Sequence, residues 1–154
     1  MVRQLLASGA DPNEAGEELP LVLAIRAVRH VGIEPLQVML DAGARPNDRT
    51  QFGEPAYFSA LGITAPPAAL QLLLQRGADP KAVSRDGRSG VWKASMPRNW
   101  SAALVLARLD AGWSGTSPMG LSFLDTLEGE ARLLGETGQL AELLAMVRKA
   151  ERGK

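Results

Sequence analysis

The apolar positions of this chain form short clusters that end repeatedly on the same glycine-containing turn. Leu72-Leu73-Leu74 is followed by Gln75-Arg76-Gly77-Ala78-Asp79-Pro80, and similar endings surround Gly9, Gly43 and Gly112. Apolar residues at helical spacing before a glycine are typical of a helix that closes on a left-handed residue, and the proline beyond it prevents continuation. No segment shows the apolar–polar alternation of a half-buried strand. The pattern predicts an all-α protein.

The four glycines stand at steps of 34, 34 and 35 residues, and self-similarity at such a period indicates stacked repeats. We predict a single domain, 1–154, with a partial unit at about 1–13, units at 14–47, 48–81 and 82–115, and a C-terminal cap at 116–154. The linker at 29–33 separates the two helices of the first complete unit. The predicted helices are 1–8, 19–28, 34–40, 55–61, 67–75, 89–95, 99–109, 117–134 and 137–151.

The composition argues against several functional classes. Lys+Arg and Asp+Glu are both 17, so the net charge predicts neither a nucleic acid nor a membrane as partner. The chain has no Cys, and its one histidine, His30, falls in the predicted linker as a solvated residue. The acidic residues are scattered rather than clustered. We therefore expect no enzyme activity, no cofactor and no metal site.

The chain shows no targeting or membrane signal. No apolar run approaches the roughly 20 residues that cross a bilayer, and the N-terminus lacks the pattern of a signal peptide. A cytoplasmic location is expected, with a periplasmic or secreted one as the alternative if an upstream signal was removed.

The recurring ending, read as Leu-Leu-x-x-Gly-Ala-Asp-Pro-Asn, resembles that of ankyrin repeats, whose period is about 33 residues. The family's Thr-Pro-Leu-His-x-Ala signature survives only in part, for example as Leu19-Pro20-Leu21 and Ser117-Pro118-Met119. Tyr57 and Trp92 stand at the position of its histidine and are expected to pack between adjacent units. The resemblance implies an ankyrin-repeat solenoid of about four helix-turn-helix units with projecting loops.

Members of that family generally bind other proteins through the projecting loops, or fingers, and the concave face of the first helices. This implies an acidic first finger, Glu14 to Glu18, and inner-helix positions that include Leu61. Phe52 is the sharpest candidate, because an exposed aromatic side chain is a typical interface anchor; packing against the neighbouring finger is its alternative. The protein-binding residues implied are Arg26, Arg49, Gln51, Phe52, Arg85, Asp86, Arg88, Lys93 and Met96.

These features favour a monomeric, non-enzymatic module that binds a protein partner. The Arg-rich, Lys-poor composition, with 13 Arg among 17 basic residues, favours a bacterial immunity, inhibitor or effector-type protein. The start within a unit favours the alternative of a regulatory or targeting domain cut from a larger enzyme. A third interpretation is a structural protein whose repeats self-associate. The last helix carries a polar face with Glu142, Arg148 and Glu151, as a terminal cap requires.

Overall fold

The computed structural model describes residues 2–14, 16–113, 115–117 and 119–153, so Met1, Ala15, Ser114, Pro118 and Lys154 lie outside it. This part of the chain is helical and contains no strand, which confirms the all-α prediction. A 3-10 helix, Ala56–Ala60, lies between α3 and α4. The α-helices are α1 (Val2–Ala7), α2 (Pro20–Val31), α3 (Glu34–Asp41), α4 (Pro67–Gln75), α5 (Gly90–Ser95), α6 (Trp100–Arg108), α7 (Phe123–Leu134) and α8 (Gly138–Arg152).

The helices stack in the order of the chain. Helix α1 contacts α3, α3 contacts α4, α4 contacts α6, and α6 contacts α8. The remaining helices each pack on the helix that follows them: α2 on α3, the 3-10 helix on α4, α5 on α6 and α7 on α8. One apolar core, from Leu19 to Val147, runs through all these contacts. The chain therefore forms successive helix pairs, each contacting the pairs beside it.

Equivalent turns close α1, α3 and α4. Gly9, Gly43 and Gly77 have φ angles of 93°, 90° and 91°, values that glycine adopts without a steric penalty. The next residue then donates its N–H to a carbonyl in the preceding helix, as Ala78 does to Leu73 at 2.9 Å. This arrangement satisfies helix-end carbonyls that would otherwise lack donors.

The turn after α6 has its left-handed residue at a different position from the one that the repeat period predicted. There Ala111 donates its N–H to the Leu106 carbonyl at 3.2 Å, and the preceding left-handed residue is Asp110, with φ 55°. Gly112, which we expected in that role, lies two residues further on. Aspartate tolerates the left-handed conformation better than most residues, so a search for glycine misses this turn. The steps between the four turns are 34, 34 and 33 residues.

Asparagine side chains tie consecutive turns together. Asn13 donates from Nδ2 to the Gly43 carbonyl at 3.1 Å and accepts the Arg45 N–H at Oδ1 at 2.9 Å. One unit later, Asn47 makes the same two bonds, to the Gly77 carbonyl and from the Asp79 N–H, both at 2.8 Å. Each amide therefore bridges two turns of the stack.

The fingers are tight hairpins. In the second finger the Thr50 N–H donates to the Glu54 carbonyl at 2.9 Å, and in the third the Ser84 N–H donates to the Arg88 carbonyl at 2.8 Å. Isolated antiparallel bridges join Arg49 to Pro55 and Val83 to Ser89 at their bases. In both fingers the bridge holds the loop closed at its root.

The same hairpin recurs where we predicted the start of a helix. The Ser117 N–H donates to the Leu121 carbonyl at 3.0 Å, so these residues form a fourth finger. Helix α7 begins only at Phe123, because Ser122 forms a capping box with Asp125. The predicted start at 117 was wrong.

Three smaller predictions also needed correction. Helix α2 extends to Val31 and closes on Gly32, so His30 lies in its last turn and not in a linker. The predicted α-helix at 55–61 is the shorter 3-10 helix. Leu61, expected on the concave surface, is buried.

Tyr57 and Trp92 are fully buried between units, as predicted. The Tyr57 hydroxyl faces Gly90, where an added Cβ would lie 3.2 Å from it. The Trp92 ring lies 5.0 Å from that of Phe123 in the next unit. Both large side chains therefore contribute apolar packing between units.

Candidate protein-binding surface

A groove of about 290 Å³ brings together Arg26, Phe52 and Lys93, three of the predicted binding residues. Arg26 comes from α2, Phe52 from the second finger and Lys93 from α5. The groove therefore spans successive units on the side where the fingers and first helices meet. Its lining also includes Glu18, Thr50, Glu54, Phe58 and Ser59, which the sequence did not single out as one site.

Phe52 is presented at the tip of the second finger. Gly53 has φ 78° and donates its N–H to the Thr50 carbonyl at 2.8 Å, which turns the chain directly after the phenylalanine. The side chain is 66% exposed, so most of the ring does not pack on a neighbouring finger. Gln51 beside it is also exposed.

Two of the predicted contact residues brace the fingers. Arg49 donates from Nη1 to the Gly53 carbonyl of its own finger at 2.5 Å and to the Val83 carbonyl of the next finger at 3.0 Å. Arg85 packs against the backbone at Gly53, where an added Cβ would lie 3.1 Å from the Arg85 Cβ. These arginines hold the second and third fingers side by side.

Ion pairs line the groove and its rim. Arg26 Nη1 lies 2.7 Å from Glu18 Oε2, and Lys93 Nζ lies 3.0 Å from Glu54 Oε1. Among the described residues, Glu54 Oε2 is buried and has no hydrogen-bond partner. One carboxylate oxygen of the groove wall is therefore left without a hydrogen-bond donor in the described part of the chain.

Asp86 extends this network into the third finger. Its carboxylate accepts a hydrogen bond from the Ser84 hydroxyl and lies 3.0 Å from Arg88 Nη1 and 3.7 Å from Lys93 Nζ. The hydrogen bond from Ser84, with the charges of Lys93 and Arg88, lowers the pKa of Asp86 below its usual value, although partial burial opposes the change. Asp86 therefore stays ionised and holds Arg88 and Lys93 in place.

Arg88 links the third finger to the fourth. Its Nε donates to the Thr116 carbonyl at 2.9 Å, and its guanidinium lies 6.0 Å from the centre of the Trp92 ring. With these two contacts and the ion pair with Asp86, it is only partly exposed. Arg88 acts as a brace rather than a free surface charge.

Met96 lies apart from the first groove. It lines a second, apolar groove of about 360 Å³ together with Met119, Leu121, Leu133 and the buried Trp92. Sequence reasoning placed Met119 and Leu121 in a helix and so missed their exposure. The hairpin period of 33 to 34 residues is the signal that would have located them on a finger.

Two other kinds of site, a metal centre and a membrane-spanning helix, are not found in the described part of the chain. No group of three or more His, Cys, Asp or Glu side chains within it is placed to hold a metal ion. No helix described there is both long and apolar enough to span a membrane. What the first groove offers is an exposed aromatic ring, charged pairs and a pre-formed cleft.

No protein-family model matches the chain, and no curated protein matches it. The likeness to ankyrin repeats therefore rests on the pattern of its own residues. The surface around Phe52 is the place where three of the predicted binding residues, Arg26, Phe52 and Lys93, line a cleft.

Proposed function

We propose that this chain is an ankyrin-type repeat module that binds a protein partner through its second and third fingers and the groove beneath them. The observation that carries the proposal is Phe52, an aromatic side chain held in solvent at the tip of a braced hairpin. Exposed aromatic side chains beside a cleft are typical anchors of protein interfaces.

The stacking of the helices supports the ankyrin-type architecture. Turns that repeat every 33 or 34 residues, bridging asparagines and hairpin fingers recur from unit to unit. Since each pair of helices contacts the pairs beside it, the fingers project from a continuous scaffold. Such a solenoid offers an extended binding surface.

The bracing of the fingers favours binding. Arg49, Arg85 and Arg88 already hold the loops in place, so a partner would order few additional groups. A smaller entropy cost leaves more of the contact energy as affinity.

The ion pairs of the groove suggest the chemistry of the partner. Arg26 of the Arg26–Glu18 pair is largely exposed, so this pair contributes little to folding stability and is open to exchange with charges of a partner, whereas the Lys93–Glu54 pair is mostly buried in the groove wall. We therefore expect a protein with an apolar side chain for the Phe52 ring and charges of both signs around it. An immunity, inhibitor or effector-type protein of bacterial origin fits this mode of action, and no step of catalysis is assigned to the chain.

The test compares two equally exposed apolar side chains of one unit. Phe52 is 66% exposed on the finger, and Ile63 is 65% exposed in the turn between the helices and does not itself line the groove. The immobilised wild type, Phe52→Ala and Ile63→Ala are used to capture proteins from the native cells, and the affinity of the captured protein is then measured. We expect Phe52→Ala to weaken binding at least about tenfold, and Ile63→Ala to leave it unchanged.

Equal binding by both variants would contradict the proposed surface. Retention of no protein by the wild type, at low and at moderate salt, would contradict the binding function itself. Circular dichroism of all three proteins checks that folding is unchanged.

A further inference from the structure

The partial unit at the N-terminal end of the stack exposes an apolar side chain whose equivalents in the later units are buried. Four residues before each left-handed turn residue stand Leu5, Met39, Leu73 and Leu106, and they are 55%, 5%, 0% and 0% exposed. Met39 and its later equivalents are covered because another helix of the stack lies beside them. Leu5 has the same apolar character, but no described helix covers its outer side.

Helix α2 continues this exposed face. Leu23 and Val31 project from it, 55% and 62% exposed, beside Ala27. With residues of α1 they form a groove of about 470 Å³, in which Asp11 is the only charged residue among the described residues that line it. Exposed apolar side chains that are grouped in this way are a feature of interaction sites.

The opposite end of the stack is polar. Helix α8 buries Leu140, Leu143, Leu144 and Val147, and its other side carries charged residues. Arg108 pairs with Glu142 at 2.5 Å, and Arg148 pairs with Glu128 at 3.3 Å. A head-to-tail contact would therefore place charged residues of α8 against the apolar first unit.

Two copies can instead meet through their first units. A contact in which both copies use the same face is closed by a two-fold axis, and the assembly then stops at two. The face is also continuous with the interface that joins α1 to α3 and α3 to α4, so a second copy would extend an existing core by one layer. Leu5 would then be covered as Met39 is.

We propose that the first-unit face is the interface of a homodimer of this chain. The first-unit face consists of Val2, Leu5, Leu6, Leu23, Ala27 and Val31. The dimer departs from the monomer that the sequence led us to expect. It is independent of the proposed partner site, because none of these residues lines the groove of Phe52, and it would present two such grooves.

The test measures the mass of the protein in solution by sedimentation equilibrium at rising concentration. We expect the wild type to move from the 16.4 kDa of one chain towards twice that mass. Leu5→Glu and Leu23→Glu should each raise the dissociation constant at least about tenfold, because the two-fold axis brings each buried charge into the interface twice. The control is Leu133→Glu, which adds the same charge at a 76% exposed site on α7 and should leave the constant unchanged.

Since Leu5 and Leu23 are exposed in one copy, both variants should fold, as circular dichroism will show. If one variant unfolds, the other still decides the result. A wild type that stays at the mass of one chain throughout would overturn the proposal. So would an equal dissociation constant in all three variants, or open-ended growth beyond two copies.

Discussion

At the scale of single residues, Tyr57 carries the chain's only phenol and lies wholly within the core. Among the described residues its hydroxyl has no hydrogen-bond partner. Burial, with a smaller contribution from the negative charge of Asp79, raises the pKa of Tyr57 far above its usual value. A neutral phenol is therefore maintained in the folded protein even in alkaline solution.

We expect the free energy of unfolding of the wild type to fall as the pH rises above about 10, where an unfolded tyrosine ionises. The folded state keeps the proton while the unfolded state releases it, so each further pH unit costs up to about 1.4 kcal/mol until the pKa of the folded state is reached. Tyr57→Phe should remove this contribution. At neutral pH it should be neutral or stabilise by up to about 1 kcal/mol, since an unpaired hydroxyl leaves the core.

Urea denaturation of both proteins at pH values on either side of 10 measures the difference. Because Tyr57 is the only tyrosine, tyrosinate absorbance reports its ionisation directly. Parallel losses of stability in the two proteins would show that other groups cause the alkaline effect.

At the scale of elements, the asparagine bridges stop where Lys81 replaces the third asparagine. Lys81 pairs with Asp110 at 3.5 Å, and both side chains are largely exposed, so this pair contributes little. The turn after α6 is closed by the same kind of hydrogen bond as the earlier turns, from the Ala111 N–H to the Leu106 carbonyl. In this turn the Asp110 carbonyl corresponds to the Gly77 carbonyl, and the Gly112 N–H corresponds to the Asp79 N–H. The backbone partners of a third bridge are present without the side chain.

Asn47→Ala should lower the free energy of unfolding by about 1–2 kcal/mol, because two hydrogen bonds between units are lost. Lys81→Asn should raise it by about 1 kcal/mol, because the same two bonds become available at the next turn. Chemical denaturation of both variants beside the wild type measures these changes. A destabilising Lys81→Asn would show that the Asp110 turn does not match the glycine turns closely enough.

At the scale of the whole molecule, burial separates the residues that hold the stack from those that face a partner. Leu73 lies fully buried between central units, whereas Phe52 is mostly exposed on a finger. A carboxylate placed at Leu73 would have no partner in an apolar core, and such a charge costs several kcal/mol.

We therefore expect Leu73→Asp to unfold the protein and Phe52→Ala to change its stability by less than about 0.5 kcal/mol. Thermal melts followed by circular dichroism distinguish the two. Equal losses of stability would refute the assignment of the two faces.

Much of the helical structure follows from local signals. Pro20, Pro35 and Pro67 mark first turns, and Gly9, Gly43 and Gly77 mark helix ends, because these residues act on the backbone where they stand. The errors came where such local signals were passed over. Gly32 and Ser122 are ordinary closing and capping residues, but the predicted helices ended at 28 and began at 117.

The candidate surface was predictable only in part. Arg26, Phe52 and Lys93 were named from their positions in the repeat, and the fold brings them to one groove. The bracing roles of Arg49 and Arg88 were not visible, because their acceptors, at Val83 and Thr116, lie 34 and 28 residues away. An arginine in a finger can bind a partner or hold the neighbouring finger, and the residue type and its place in the loop do not distinguish the two roles.

The residues alone thus decide where helices start and stop and that the chain repeats, since capping, turn conformation and apolar spacing act over a few residues. Only the tertiary structure decides which apolar side chains remain exposed to solvent. Leu5 and Leu73 occupy equivalent places in the same pattern, yet one is exposed and the other buried. The difference depends on whether a neighbouring layer of helices is present, because a side chain is buried only where another element packs against it.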